Sequence, residues 1–352
     1  MRLLEWSCKP IAMRKGRPFG AVAASVAGAA VVAALALPGA GAAARVSTIP
    51  GLVDIYTNLG YQSAQAAGTG IVLTSSGEIL TNNHVIRGAT TIRVVDLDNG
   101  RSYRAAVVGY TVSEDVAVLQ LKNASGLQAA PLGNSSTARV GDNVTTLGNA
   151  GGAGGAPYVA SGTIVGLNQP ITARDDSGDT ETLHGLIKTN AQLQPGDSGG
   201  PMVNAAGQVI GIDTAASSSF TFVSSSTQGF AIPINTATAI AAQIFAGHAS
   251  STIHVGPTAF LGLSLAIPDS FYGQQAAGLT VAQVVPGSPS EKIGIAAYDV
   301  ITRFDGRTVN TPASLTALVV TKAPGDTVQV RWVDPSGTPH VASLRLAAGP
   351  PQ

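Results

Sequence analysis

Between residues 68 and 212 the apolar residues arrive in short runs broken by Gly, Asn and Ser: Gly70 to Leu73, Thr91 to Val95, Tyr103 to Tyr110, Val116 to Leu121, Gly162 to Leu167 and Val209 to Ile212. Runs this short are strands, and their spacing is that of an all-β domain. The breaks carry turn chemistry. Asp98-Asn99-Gly100 between two runs is a hairpin signal, because Asn and Gly accept the left-handed backbone of a tight turn, and Ser75-Ser76-Gly77 separates two others. Barrels or a sandwich are predicted here. The pattern becomes helical over Thr236 to Phe245, and the small, uncharged stretch that follows predicts a linker over 247–255. Residues 256–348 mix strands with one helical candidate, Pro312 to Val320, and read as a separate α+β module.

Charged residues make up 11% of the 352, and hydrophobic residues 45%, which excludes an intrinsically disordered chain. Twenty basic residues balance twenty acidic ones, but Arg2, Lys9, Arg14, Lys15 and Arg17, with Glu5, precede residue 44. Without that segment 15 basic residues face 19 acidic ones, a net charge of −4. A mildly acidic body with no dense basic cluster offers nothing to a phosphate backbone, so no nucleic acid is expected among its partners.

The five bases lead into an apolar run, Phe19 to Leu37, closed by Pro38-Gly39-Ala40-Gly41-Ala42. This is the layout of an export signal, with cleavage expected after Ala42 or Ala44 and Met13 an alternative start. The protein is therefore expected outside the cytoplasm, secreted or in the cell envelope, touching a membrane only if the segment stays uncleaved as an anchor. Cys8 is the single cysteine and precedes the apolar run, so the mature chain is left without thiol chemistry. His184, His248, His254 and His340 lack metal-ligand spacing, and neither metal nor cofactor is expected.

Gly196-Asp197-Ser198-Gly199-Gly200-Pro201 is the most informative hexapeptide. A nucleophilic serine needs small neighbours that expose its oxygen and free N–H groups beside it. As G-x-S-x-G the stretch would suit an α/β-hydrolase elbow, which requires a helix after the serine. Pro201, Met202-Val203, an Ala-Ala-Gly turn and the strand-like Gln208 to Ile212 predict a β-hairpin instead. Upstream, His84 ends a strand-like run and Asp115 precedes another, giving the order His, Asp, Ser of a trypsin-type site.

These residues, with Gly68 to Val72, Thr81 to Ile86, Asp115 to Leu121, Gly148-Asn149, Ser161-Gly162, Gln194 to Pro201 and Gly229 to Pro233, resemble the HtrA (DegP-like) family of trypsin-fold serine proteases. The likeness is greatest to its secreted PepA-type branch with one PDZ domain. It implies two six-stranded barrels over 45–246, with His84 and Asp115 from the first and Ser198 from the second. Gly196 and Ser198 would supply the oxyanion hole, and Gln192, Thr214, Ala215 and Ala216 a modest, largely uncharged specificity pocket. Residues 256–348 would form the PDZ domain, with Leu261, Gly262 and Leu263 receiving a peptide carboxy terminus. The resemblance implies unfolded proteins or peptides as substrates, hence protein quality control, and a homo-oligomer is open to such a chain. A binding protein of the chaperone or scaffold type is the rival, disfavoured by the intact triad. Three positions depart from the family form: Asp197 for Asn, Thr189-Asn190 for Thr-Asp, and Ala297-Tyr298 for a small residue and Gly. Gly151 to Gly155 and Arg174 to Asp179 are expected to be loops.

Overall fold

The structure, a computed structural model, describes residues 48–175, 180–214, 220–222, 228–266 and 278–352. The export-signal segment, most of the 174–179 loop and the pocket residues Ala215 and Ala216 lie outside the described residues.

The first barrel contains β1 (Leu52–Leu59), β2 (Ala64–Val72), β3 (Glu78–Thr81), the one-turn helix α1 (Asn83–Ile86), β4 (Thr91–Asp96), β5 (Ser102–Thr111) and β6 (Val116–Leu121). Its strands run in the order β5-β4-β1-β2-β3-β6, and β5 pairs β6 to close the sheet. Closure leaves no barrel edge exposed to another chain. The turn at Asp98-Asn99-Gly100 forms as its residues predict, with Gly100 at φ +69°. Along β4, Ile92, Val94 and Asp96 point inward while Thr91 and Arg93 face solvent, the period of two expected of a half-buried strand.

The second barrel contains β7 (Asn143–Gly148), β8 (Tyr158–Asp175), β9 (Thr180–Thr189), β10 (Pro201–Val203), β11 (Val209–Thr214), β12 (Phe220–Phe222) and β13 (Gly229–Pro233). The order is β8-β7-β10-β11-β13-β9 with β8 paired to β9, and β12 lies on the far side of β8. Arg174 and Asp175, expected in a loop, belong to β8. The hairpin at β10 and β11 that follows Ser198 is the one its sequence predicts. Helix α2 (Ile234–Phe245) then buries Ile234, Ala237, Ile240, Ala241 and Ile244 on one face. Each isoleucine so buried contributes roughly 1.5 to 3 kcal/mol.

The segment read as a linker is partly docked. Ile253 is buried in the core of the protease barrels, and β14 (His254–Val255) pairs antiparallel with Tyr110 and Gly109 of β5. Composition averaged over the stretch hides these two apolar residues, Ile253 and Val255, and they are what seats it.

The carboxy-terminal module comprises β15 (Thr258–Phe260), β16 (Leu263–Leu265), β17 (Leu279–Val284), α3 (Pro289–Lys292), β18 (Val300–Phe304), β19 (Arg307–Thr308), α4 (Pro312–Val319), β20 (Thr327–Val333), β21 (Pro339–Arg345) and β22 (Ala347–Gly349). Its main sheet runs β16-β17-β18-β20-β21, so β16 is an edge strand, and β15 pairs with β22. Helix α4 starts where its sequence says. Thr311 caps it reciprocally with Ser314, and Pro312 occupies the first turn, where a missing N–H costs nothing. Leu315 and Val319 then reach a core that includes Val281, Phe304 and Trp332.

Tyr298 sits at φ +74° and is 75% exposed. A side chain in the left-handed region costs about 1 kcal/mol or more, and so exposed a ring recovers little of it by packing. Tyr298→Gly is expected to raise the stability of the module by about 0.5 to 1 kcal/mol, read from the midpoint of denaturant unfolding. An unchanged or lowered midpoint would show that the ring has a partner which offsets the strain.

Candidate active site

The residues predicted to act together come from both barrels. His84 lies in α1, a single turn following the extended Asn82, and is 7% exposed. Asp115 lies between β5 and β6 at φ +51°, a conformation Asp tolerates better than most side chains. Its carboxylate is held on several sides. The His84 backbone N–H donates to Oδ1 at 3.0 Å, and His84 Nδ1 lies 3.0 Å from Oδ1 and 2.9 Å from Oδ2. Thr214 Oγ1 donates to Oδ2 at 3.2 Å, and Asn82 Nδ2 donates to the Asp115 carbonyl at 2.9 Å. A carboxylate against Nδ1 fixes the proton on that nitrogen and turns Nε2 away from the acid as the base.

Ser198 lies between two residues, Gly196 and Gly199, whose backbone only glycine or a strained residue can supply. Gly196 has φ +103°, and a Cβ there would fall 2.2 Å from the Asn149 carbonyl oxygen. Gly199 has φ +83°, and its Cβ would fall 2.1 Å from the Thr69 carbonyl oxygen and 2.2 Å from Thr81 Oγ1. Gly199 is thus required because the serine loop is pressed against β2 and β3 of the other barrel, and Gly196 because it is pressed against Asn149 of its own. Thr69 N–H donates to the Ser198 carbonyl at 2.8 Å, and Thr69 Oγ1 donates to the Gly196 carbonyl at 2.7 Å. Gly68, beside it, has both the Ser198 carbonyl and the Val85 side chain within 3.2 Å of where its Cβ would lie, which sets the serine next to α1.

Other expected residues are placed less uniformly. Gln192 is exposed on the loop between β9 and β10, whereas Thr214 is buried with its hydroxyl on Asp115, so that oxygen serves the acid rather than a pocket wall. Leu261 is buried in the core of the carboxy-terminal module and Leu263 is half-buried in β16. Gly262, at φ +82°, lies against Ser288, whose Cβ is 2.1 Å from where a glycine-to-alanine Cβ would stand. The carbonyls of Leu261 and Gly262 accept from Ser290 and Val285 N–H groups at 3.0 and 2.8 Å. The roles of Thr69 and Asn82 carry no sequence signal beyond membership of the matched stretches, because each acts through contacts distant in the chain.

Behind the serine lie two more buried acids. Asp197 accepts from the Gln194 N–H at 2.8 Å through Oδ2, and burial pushes its carboxyl up to about 6. Asp213 is fully buried, and burial first, then the charge of Asp197, holds it well above the ordinary carboxylate range. Both bind protons more tightly folded than unfolded. Their contribution to stability is therefore complete at acid pH and lost as pH rises, through about 6 for Asp197 and through a pH well above the ordinary carboxylate range for Asp213. Asp197→Asn keeps an acceptor for Gln194 and removes the charge. It should leave stability at pH 4 nearly unchanged and raise it at pH 8 by on the order of 1 to 3 kcal/mol, measured as melting temperature against pH; parallel curves for the two proteins would refute the assignment.

The model of the Trypsin-like peptidase domain matches residues 68–212, and that of the PDZ domain matches residues 259–333. Serine protease PepD of Mycobacterium tuberculosis is 32% identical over 342 residues, which cover 94% of this chain and 70% of PepD. The periplasmic pH-dependent serine endoprotease DegQ of Escherichia coli is 34% identical over 273 residues, covering 76% of this chain and 57% of DegQ, so the match spans little more than half of that relative. A solved structure of the HtrA-type protease AlgW with decapeptide is 26% identical, with a TM-score of 0.48, covering 87% of this chain and 98% of that one. Identity to PepD at this level over nearly the whole chain, with a trypsin-like domain followed by a PDZ domain, is the mark of common descent: the chain belongs to the HtrA (DegP-like) family of serine proteases.

Proposed function

We propose that this chain is an exported serine endopeptidase that hydrolyses unfolded or misfolded proteins through His84, Asp115 and Ser198, and that its PDZ domain binds peptide carboxy termini. The observation that carries the catalytic reading is the grip of Asp115 on His84, a buried two-oxygen contact at 3.0 and 2.9 Å on the Nδ1 side. That contact leaves Nε2 as the base. Ser198 Oγ attacks the scissile carbonyl carbon while its proton passes to His84 Nε2, and Asp115 stabilises the imidazolium. The oxyanion is received by the N–H groups of Gly196 and Ser198. His84 then returns the proton to the leaving amine, and water repeats the sequence on the acyl-enzyme. The protease domain is taken as 45–246, the linker as 247–255 and the PDZ domain as 256–348.

The periplasmic location in the printed names of several relatives supports export, as does the charged, apolar amino-terminal layout. At the PDZ domain, β16 is an edge strand beside the Leu261 and Gly262 turn, which suits an extended peptide added as a further strand.

Ser198→Ala and His84→Ala should each lower casein hydrolysis by on the order of 10⁵-fold or more, since the members of a triad act as a unit. Wild-type hydrolysis by Ser198→Ala would refute the nucleophile. For the PDZ domain, a peptide with a free apolar carboxy terminus should bind and change the rate on a small chromogenic substrate by roughly 5- to 150-fold. The same peptide amidated should lose both effects, because the loop N–H groups lose their anionic acceptor. Equal binding of the two peptides in calorimetry would exclude carboxylate recognition.

A further inference from the structure

Gly148-Asn149 belongs to the stretches that carry the family likeness, yet the proposed triad gives Asn149 no task. The residue is 5% exposed and spends every polar group it has. Its N–H donates to Thr69 Oγ1 at 2.9 Å, the same hydroxyl that donates to the Gly196 carbonyl. Its carbonyl accepts from Gly152 N–H at 2.8 Å, and its side-chain Oδ1 accepts from Gly154 N–H at 2.7 Å. Nδ2 donates to Tyr56 Oη of β1 at 3.4 Å, the weakest of the set, and Tyr56 Oη in turn donates to Asp54 Oδ2 at 3.4 Å. Arg93 lies over the Tyr56 ring, 4.2 Å from its centre.

The turn so pinned, expected from sequence to be a loop, is hydrogen-bonded to the oxyanion-hole loop through Gly151. Gly151 N–H donates to the Pro195 carbonyl at 2.7 Å. That carbonyl and the Gly196 N–H belong to one trans peptide unit, in which C=O and N–H point in opposite directions. Holding the Pro195 oxygen toward Gly151 therefore aims the Gly196 N–H the other way, out of the turn. A peptide flanked by a residue at φ +103° is free to rotate unless held; Gly151 holds its carbonyl, and Thr69 holds the carbonyl of the next peptide, on the other side of Gly196.

We infer that Asn149 is a positioning residue for the oxyanion hole, fixing the 150–154 turn through which Gly151 aims the Gly196 N–H at the developing oxyanion. The inference rests on the reading of Gly196 and Ser198 as the oxyanion donors. It makes Tyr56, on the other barrel, a second and weaker support of the same turn.

The test uses the full chain with Asn149→Ala and, separately, Tyr56→Phe. It compares kcat and KM on a chromogenic peptide with inhibition by the matching peptide aldehyde, whose hemiacetal oxygen takes the oxyanion's place. Asn149→Ala should lower kcat by on the order of 10- to 100-fold, less than outright loss of a donor, with KM little changed and aldehyde affinity falling by the same factor. Tyr56→Phe, which removes a single oxygen, should lower both by a factor of about 2 to 10. Unchanged kcat and aldehyde affinity in Asn149→Ala, or a loss confined to KM, would overturn the inference. Should Asn149→Ala fail to fold, Tyr56→Phe decides by the same two quantities. Fluorophosphonate labelling of the wild type separates the two readings: absence of label overturns the activated serine and the inference with it, whereas label with unchanged variants overturns the inference alone.

Discussion

Two barrels that share one buried cluster must present three side chains to one another within a fraction of an ångström, and the joint that sets their registry is Thr69. Its N–H holds the Ser198 carbonyl, its hydroxyl holds the Gly196 carbonyl while accepting from Asn149, and its own carbonyl accepts from Thr81 Oγ1 at 2.7 Å. The residue is fully buried, so each of these bonds is made in a dry setting where an orphaned partner costs more than the bond itself returns. β2 thus carries the serine loop of the second barrel on the back of the strand pair that leads into α1 and His84. Gly199 is a consequence of this contact, since a side chain there would separate the barrels.

The same closeness explains why so sparsely charged a chain buries four acids around the cleft. Asp115 is stabilised by donors on all sides, whereas Asp213 is raised by its burial and by its neighbour Asp197. Asp54, raised to about 6 chiefly by burial, stands at the end of the Tyr56 support. Burial raises Asp54, Asp197 and Asp213, so these three take up protons readily, which ties the surroundings of the site to the acidity of the medium.

Strand-length runs, the two tight turns, both principal helices and the order of histidine, aspartate and serine were legible because each is written in adjacent residues. Asp98-Asn99-Gly100 dictates its hairpin whatever surrounds it, and Thr311-Pro312 dictates the start of α4. Contacts between distant residues were not legible. Nothing near Tyr56 announces that its hydroxyl meets Asn149, 93 positions later, and Thr214, expected at a pocket wall, turns its oxygen to Asp115. The linker misled for the opposite reason. Small polar residues dominate its composition, while Ile253 and Val255, the two that act, are a minority of it.

That docked linker governs reach. Gly256 N–H still bonds to the Val108 carbonyl at 2.8 Å, and Thr258 already meets Tyr110 Oη at 3.2 Å, so the chain between the last anchor on the barrel and the first of the PDZ domain is essentially Pro257. Such a pivot has almost no slack. A polypeptide held by its tail at β16 would have to bridge a nearly constant gap to Ser198, at no more than about 3.3 to 3.6 Å for each of its residues. If tails are captured at β16 as proposed, a chain too short to span that gap would be spared.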